Sequence, residues 1–535
     1  MLTIVNAASS FLVVVLFLWS PRSAYLNSGE ADFPFPLLSY LWPLMLMGLG
    51  VVFIVSLIHL LLPRKGRAWF AVLIVFLSLM VGAETFILMP DFGAFTGRSV
   101  DLSASWVRYI FESITIVLTL SLAWQWTRAP AFPSILLGSL AVVLSISSLW
   151  SAVSEAKSGP DPADDATVFS RDEKNLLIVL LDGFPSDVFE EIVDADSGWR
   201  SRLEGFTYFP DTVGVSPTTF LALPSIHSGE VYSPGTPLQP FFTSSVGDHS
   251  FLSDLSTAGY TSLLVNPMNG VCPKNTQCVP AGIVLGDYVR LQKTGMARLF
   301  GLSLFSAAPL GLKKAVYDDG RWVFPPLVAD ERITDHNVEG VETLKFFSAN
   351  LAAERSVPTA KFIHILTPHL PVVIGDGCKY SGHTIPATRE AFLTQAKCAL
   401  GAFEDLVTSL RKNGLYDNTA IVLLSDHGQA IPSRKANADG DWKKLSGWAN
   451  PLLAVKPLGA AGPMEVSSAP KWLAEIPSII CEMMEDCETS AAGSQKARIF
   501  NYYEWKNEYW GADEIPVDRF TVSGPPWDAR SWKAQ

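Results

Sequence analysis

The chain has 535 residues, 49% of them apolar and only 17% charged, which is longer than one ordinary domain and less charged than a soluble protein. A net charge of -12 and the lack of any long basic run exclude an electrostatic binder of nucleic acid. Nearly all the long uncharged runs precede residue 155 and charges return at ordinary density from Lys157 onward, so the first part is suited to lipid and the rest to water.

Crossing ~30 Å of hydrocarbon takes about 20 mostly apolar helical residues. Five stretches meet that need, near residues 3–19, 37–62, 68–89, 107–126 and 132–153. The first reads as a retained anchor rather than a cleaved signal peptide, because it has no basic leading region and no clear small-residue cleavage site. Arg64, Lys65 and Arg67 lie between the second and third stretches and Arg128 between the fourth and fifth. Short basic loops stay in the cytoplasm, so the N-terminus starts inside and an odd number of spans delivers everything after about residue 155 to the far side.

Ser158 to Thr167 is a polar Pro and Asp segment with no apolar period, which reads as a linker. The expected division is therefore a five-helix membrane domain over 1–154, a linker over 155–170 and an extracytoplasmic domain over 171–535. In that domain short apolar runs of buried-strand type recur at Asn175–Leu181, Tyr260–Val265, Lys361–Leu366 and Ala420–Leu424. Longer amphipathic stretches at Val338–Ala353 and Glu390–Lys412 alternate with them. Strands buried on both faces with helices between them predict an α/β fold.

All six cysteines fall in this polar part, as Cys272 with Cys278, Cys378 with Cys398 and Cys481 with Cys487. An even set at close spacing predicts three local disulfides, which persist only in an oxidising compartment and agree with an external location. Buried free thiols and a zinc site are the competing readings. The short pairs are CxxxxxC rather than CxxC and neither has a histidine close by, which disfavours zinc.

In open α/β sheets functional groups collect where strands end. Asn175–Leu181 runs into Asp182-Gly183, Ala420–Leu424 into Ser425-Asp426-His427-Gly428, and Lys361–Leu366 into Thr367-Pro368-His369-Leu370-Pro371. Each is ordinary alone, since an acid after a strand is usually a helix cap and a lone loop histidine is usually a satisfied polar group. Together, two carboxylates and an imidazole at separate strand ends make a site for a divalent ion, zinc or manganese, that needs one more oxygen ligand. Thr218 and Thr219, which open a helix-like stretch in GVSPTTFLALPSIHSG, offer that oxygen.

The order LLDG, TTFLALPSIHSG, LTPHLP, LLSDHG resembles the alkaline-phosphatase and sulfatase superfamily, and within it the phosphoethanolamine transferases of lipid A and the lipoteichoic acid synthases. Those also have five spans followed by an external catalytic domain, so the resemblance implies an alkaline-phosphatase-like α/β domain with a central mixed, mostly parallel sheet. It implies Asp182, Thr219, Asp426 and His427 as ligands of one metal ion, Thr219 as nucleophile with Thr218 as its alternative, and His369 against the substrate phosphate. The implied reaction moves a phosphoglycerol or phosphoethanolamine headgroup from a phospholipid, through a phospho-threonine, to an envelope glycan or glycolipid. A membrane-anchored phosphatase or phosphodiesterase is the alternative, and a non-catalytic relative a third reading. The implied location is the inner membrane of a bacterium, with the catalytic domain in the periplasm.

The sequence also departs from those families. A sulfatase of the formylglycine type needs a Cys or Ser in C/S-x-P-S-R, and Thr219 begins Thr-Phe-Leu-Ala-Leu instead. Trp448 falls where the phosphoethanolamine enzymes have another histidine, and Val215 and Ser225 fall where they have a cysteine pair. Trp442, Trp448 and Lys443 are candidates for a donor pocket, with surface packing of a loop as the competing reading. His227 and His364 read as structural, and the aromatic-rich stretch Phe500–Trp532 as an amphipathic cover over the core.

Overall fold

The computed structural model describes residues 1–27, 33, 35–88, 106–154, 165–286, 288–317, 335–437, 441–484 and 497–535. The chain forms two compact units, Met1–Asp161 with Asp287–Arg332 and Pro162–Gly286 with Ile333–Gln535.

The first unit holds five helices long and apolar enough to cross a membrane: Leu2–Leu26, Leu37–Leu61, Arg64–Leu88, Trp106–Arg128 and Ala131–Ser154. At 1.5 Å per residue each is about 35 Å long, enough for the hydrocarbon layer. The first span is the centre of the bundle, 61% buried against 11% for the fourth. Small and polar residues let the helices approach, as expected where lipid supplies no hydrophobic drive. A Cβ on Gly48 would sit 2.5 Å from Val13 of the first span. Ser78 donates across the bundle to the Ala8 carbonyl at 2.6 Å, and Ser56 to the Asn6 side chain at 2.9 Å.

Two further helices, Tyr288–Ala307 and Leu310–Tyr317, pack in this unit rather than in the second. Phe300 meets Phe17 with ring centroids 4.6 Å apart, and Gln292 donates to the Ser39 carbonyl. The linear division at residues 154 and 171 does not anticipate this return of the chain to the spans. Nor does the expected linker extend to residue 170, because Val168–Ser170 form a short strand parallel to Ala352–Arg355. Residues 155–164 lie outside the described residues.

The second unit is built on an eight-stranded sheet of β1 (Asn175–Leu181), β2 (Thr207–Tyr208), β3 (Thr261–Val265), β4 (Thr276–Val279), β5 (Thr359–Ile365), β6 (Thr419–Leu424), β7 (Leu453–Lys456) and β8 (Glu465–Val466). The spatial order is β8-β2-β7-β6-β1-β5-β3-β4. All pairs are parallel except β6 with β7 and β7 with β2, so the sheet is mixed and mostly parallel. Every residue of β1, β5 and β6 is buried, the state expected of parallel strands covered on both faces. Three helices matter below: α1 (Thr219–Ser228), α2 (Asp335–Asn350) and α3 (Arg389–Lys412).

Residues 498–534 form a separate antiparallel sheet of β9 (Arg498–Tyr502), β10 (Asp518–Val522) and β11 (Trp532–Ala534). Its apolar side joins the core that also holds Leu223 and Ile226 of α1, with Trp532 edge-on to Phe500 and Phe520. Cys272–Cys278 and Cys378–Cys398 are disulfides. Cys481 is also disulfide-bonded, and Cys487, the partner expected for it, lies outside the described residues.

Candidate active site

Because β6, β1 and β5 are parallel neighbours, their C-terminal ends deliver Asp426 and His427, Asp182, and His369 to one edge of the sheet. Asp182, His369 and His427 present ligand-type atoms that all lie within 4.8 Å of one another. Nε2 of His427 is 3.5 Å from Asp182 Oδ1, 3.4 Å from Asp426 Oδ2 and 3.4 Å from the Thr219 hydroxyl. The two candidate ligand sets therefore share Asp182 and His427. One is completed by His369 and the other by Asp426 and Thr219.

The loops that hold these groups are tightly specified. Gly183 has φ +67°, and a Cβ there would lie 2.6 Å from the Gln429 side chain and 3.1 Å from the His369 ring. A Cβ on Gly428 would lie 1.8 Å from the Gly447 carbonyl, so the Asp-His turn is pressed against the 447–448 backbone, where Gly428 N–H donates to Trp448. The Ser425 hydroxyl accepts from Phe184 N–H at 2.8 Å and donates to the His427 carbonyl at 2.7 Å, locking the LDG and SDHG turns together. Both imidazoles donate from Nδ1 to a carbonyl, His369 to Leu370 and His427 to Gly428, each at 2.6 Å. That arrangement fixes the tautomer and leaves Nε2 as the ligand atom, the usual support for a metal-binding histidine.

The two threonines separate cleanly. Thr218 caps the start of α1, and its hydroxyl bonds the Tyr503 hydroxyl at 2.5 Å, with Ser216 at 3.4 Å. Thr219 is the first residue of α1 and is the one that faces His427. The free N–H groups and dipole of the helix N-terminus there favour an anion.

The residues fit a divalent cation on an observation independent of their identity. Asp182 Oδ1 and Asp426 Oδ2 are buried without a hydrogen-bond partner among the described residues. Two orphaned carboxylate oxygens facing one imidazole cost several kcal/mol unless a positive charge completes them. Burial opposes ionisation of Asp182, but the imidazoles of His369, His364 and His427 outweigh it and hold its pKa well below the usual carboxylate range. Burial and then the Asp182 charge push Asp426 upward, against the pull of His427, His364 and Thr219.

Three contributors escaped the sequence reading. His364 is buried on β5, but its Nε2 lies 3.3 Å from Asp182 Oδ2, so it orients a candidate ligand as well as filling the core. Ser425 is inside the SDHG motif but was given no role there, and it is its hydroxyl that joins the two turns. Tyr503 directly follows β9 of the C-terminal sheet. A histidine at the end of a buried strand was the available signal for the first, and no local signal existed for the last.

Other residues take bland positions. His227 is buried between Phe251 and Phe362 and bonds Ser250 at 2.8 Å. Trp442 packs edge-on to Trp532. Trp448 lies against His427 with ring centroids 5.4 Å apart, at the position where a further histidine was absent. The side chain of Lys443 lies outside the described residues.

Neighbouring parallel strands that end in ligand-type residues, opposite a helix that opens on a threonine, put the second unit in the alkaline-phosphatase-like class of α/β domains. The profile of the Sulfatase family matches residues 174–469, more than half of the chain, and the chain belongs to that family. Lipoteichoic acid synthase of Staphylococcus aureus is 32% identical over 101 residues, a match that spans 18% of this chain and 16% of that relative. Among solved structures, the C-terminal periplasmic domain of EcEptC from Escherichia coli aligns with TM-score 0.37 and 11% identity over 68% of this chain and 92% of that one. The phosphonate monoester hydrolase SpPMH from Silicibacter pomeroyi aligns with TM-score 0.41 and 14% identity over 65% and 85%.

Proposed function

We propose that the chain is a metal-dependent membrane phosphotransferase that moves a phosphoglycerol or phosphoethanolamine headgroup from a phospholipid to an envelope glycan or glycolipid. The observation that carries this reading is the hydroxyl of Thr219, set at a helix N-terminus 3.4 Å from His427 and beside the orphaned carboxylate oxygens. The partial likeness to lipoteichoic acid synthase and the five spans, more than tethering requires, support a lipid donor.

Asp182, Thr219, Asp426 and His427 would hold one zinc or manganese ion, which would lower the pKa of the threonine hydroxyl and offset the phosphodiester charge. His369 is assigned to the substrate, because it is partly exposed while Asp182 and His427 are buried. Thr219, having lost its proton to solvent, attacks the donor phosphorus, and the bond from phosphorus to the diacylglycerol oxygen breaks. His369 protonates the departing oxygen. The N–H groups at the start of α1 hold the equatorial oxygens. An acceptor hydroxyl then attacks the phospho-threonine, returns a proton to His369 and releases Thr219. The basic loops between spans and the disulfides support a bacterial inner-membrane location with the catalytic unit in the periplasm.

Peptide mass spectrometry on the Thr219 segment, from wild-type and His369→Ala protein purified from native membranes, tests the reading. A phosphoglycerol or phosphoethanolamine adduct on Thr219, absent in Thr219→Ala, is the expected outcome and names the headgroup. No adduct, with hydrolysis of a model phosphodiester by water alone, replaces transfer by hydrolysis.

A further inference from the structure

Residues 288–317 carry Arg290, Lys293, Arg298, Lys313 and Lys314 and not one Asp or Glu, inside a chain of net charge -12. They form the helix pair that packs with the membrane spans. The contacts fall at one end of the bundle. Tyr288 meets Phe35, Gln292 bonds Ser39, and Gly295 lies against the Tyr40 ring, all at the start of the second span. Leu310 N–H donates to Glu112 near the start of the fourth span, at 3.0 Å. Lys313 is fully buried and donates to the Phe305 and Ser306 carbonyls, closing the turn between the two helices. This is the end away from the basic loop Arg64–Arg67, where hydrocarbon gives way to headgroups.

The outward side is unlike that of a soluble helix. Val289 is 65% exposed with Lys293 one turn along the same face, and Leu312 is 57% exposed beside the exposed Gly311 and Lys314. Exposed apolar side chains next to lysines, on helices that carry no acidic residue of their own, are the pattern of a helix lying in a membrane interface, with alkyl groups in the acyl boundary and ammonium groups at phosphates. Apolar side chains of the spans in the same unit are exposed as well, such as Ile87 at 79%.

We propose that Tyr288–Tyr317 is a lipid-facing hairpin that seats Val289 and Leu312 among phospholipid acyl chains and binds headgroup phosphates through Lys293 and Lys314. The inference does not depend on the transfer chemistry.

The test uses the full chain in phosphatidylcholine vesicles with and without phosphatidylglycerol. Cys272, Cys278, Cys378, Cys398 and Cys481 are disulfide-bonded, so an environment-sensitive thiol fluorophore reports on single Val289→Cys or Leu312→Cys changes. Ala258→Cys on the second unit is the aqueous control and Ile146→Cys on the fifth span the lipid control. The expected result is strong quenching at 289 and 312 by a headgroup-level nitroxide lipid and weak quenching by iodide. Changing Lys293→Glu and Lys314→Glu together should reduce the lipid quenching, with the larger loss in phosphatidylglycerol vesicles. Iodide quenching equal to that at 258 overturns the proposal. So does protection from both quenchers, which means that a second copy of the chain covers the face. Lipid quenching unchanged by the paired charge reversal overturns the phosphate contact.

Discussion

At the scale of single residues, the candidate site is a set of charges that cannot all be satisfied by one another. If Asp426 is a ligand and His369 serves the substrate, Asp426→Asn should strip the divalent ion, while His369→Gln should keep it and lose turnover. Metal analysis of the purified full-length variants checks this, and loss of metal in His369→Gln would move that histidine into the ligand set. His227 gives a prediction that needs no metal. Burial, then the His364 charge, lowers its pKa from 6.5 to about 3, so the unfolded chain binds a proton there that the folded chain refuses. Stability is lost as pH falls below the unfolded value, by about 2 kcal/mol between pH 7 and pH 5 from this group. Denaturant midpoints at the two pH values should fall further apart in the wild type than in His227→Leu. Asp182, Asp426, His427 and Thr219 were legible because each follows an apolar run or opens a helix. Ser425 and Tyr503 were not, because their partners are 241 and 285 residues away in sequence. Only the folded pairing of strands gives them a role.

At the scale of elements, the central strands could be read because burial on both faces writes an unbroken apolar run. β1 spans Asn175–Leu181 as the sequence indicates, and β6 gains only Thr419. Helices α2 and α3 likewise begin near the amphipathic stretches that mark them. The C-terminal sheet left no comparable period, since its Trp and Tyr residues pack from several directions. The Tyr288–Tyr317 helices were missed for another reason, namely that their apolar runs are too short for a span and too basic for a core. The disulfide between Cys378 and Cys398 joins the turn between the antiparallel strands Val372–Gly375 and Lys379–Ile385 to the middle of α3, closing a loop of sequence separation 20. Opening it with Cys378→Ala and Cys398→Ala together should cost about 3 kcal/mol through the unfolded chain. A drop in the denaturant midpoint of the catalytic unit, with the metal content unchanged, is the expected measurement.

At the scale of the whole molecule, the two units are interleaved in sequence, because Asp287–Arg332 belongs with the spans. A truncation that starts at Pro162 therefore keeps a hairpin deprived of its packing partners. It should self-associate or bind detergent in light-scattering chromatography, and replacing 288–317 by a short Gly/Ser segment should restore a single monomeric species. A detergent-free monomer with the hairpin present would count against its assignment to the membrane unit. The same interleaving constrains biosynthesis. β1 leaves the ribosome before the hairpin, whereas β5 and β6, the strands that flank it on either side, follow it. The innermost strand of the sheet is therefore made before either of its neighbours, and the hairpin that packs with the spans is made in between. Closure of the sheet around β1 is therefore a late event of synthesis, because its neighbours are separated from it by the whole hairpin.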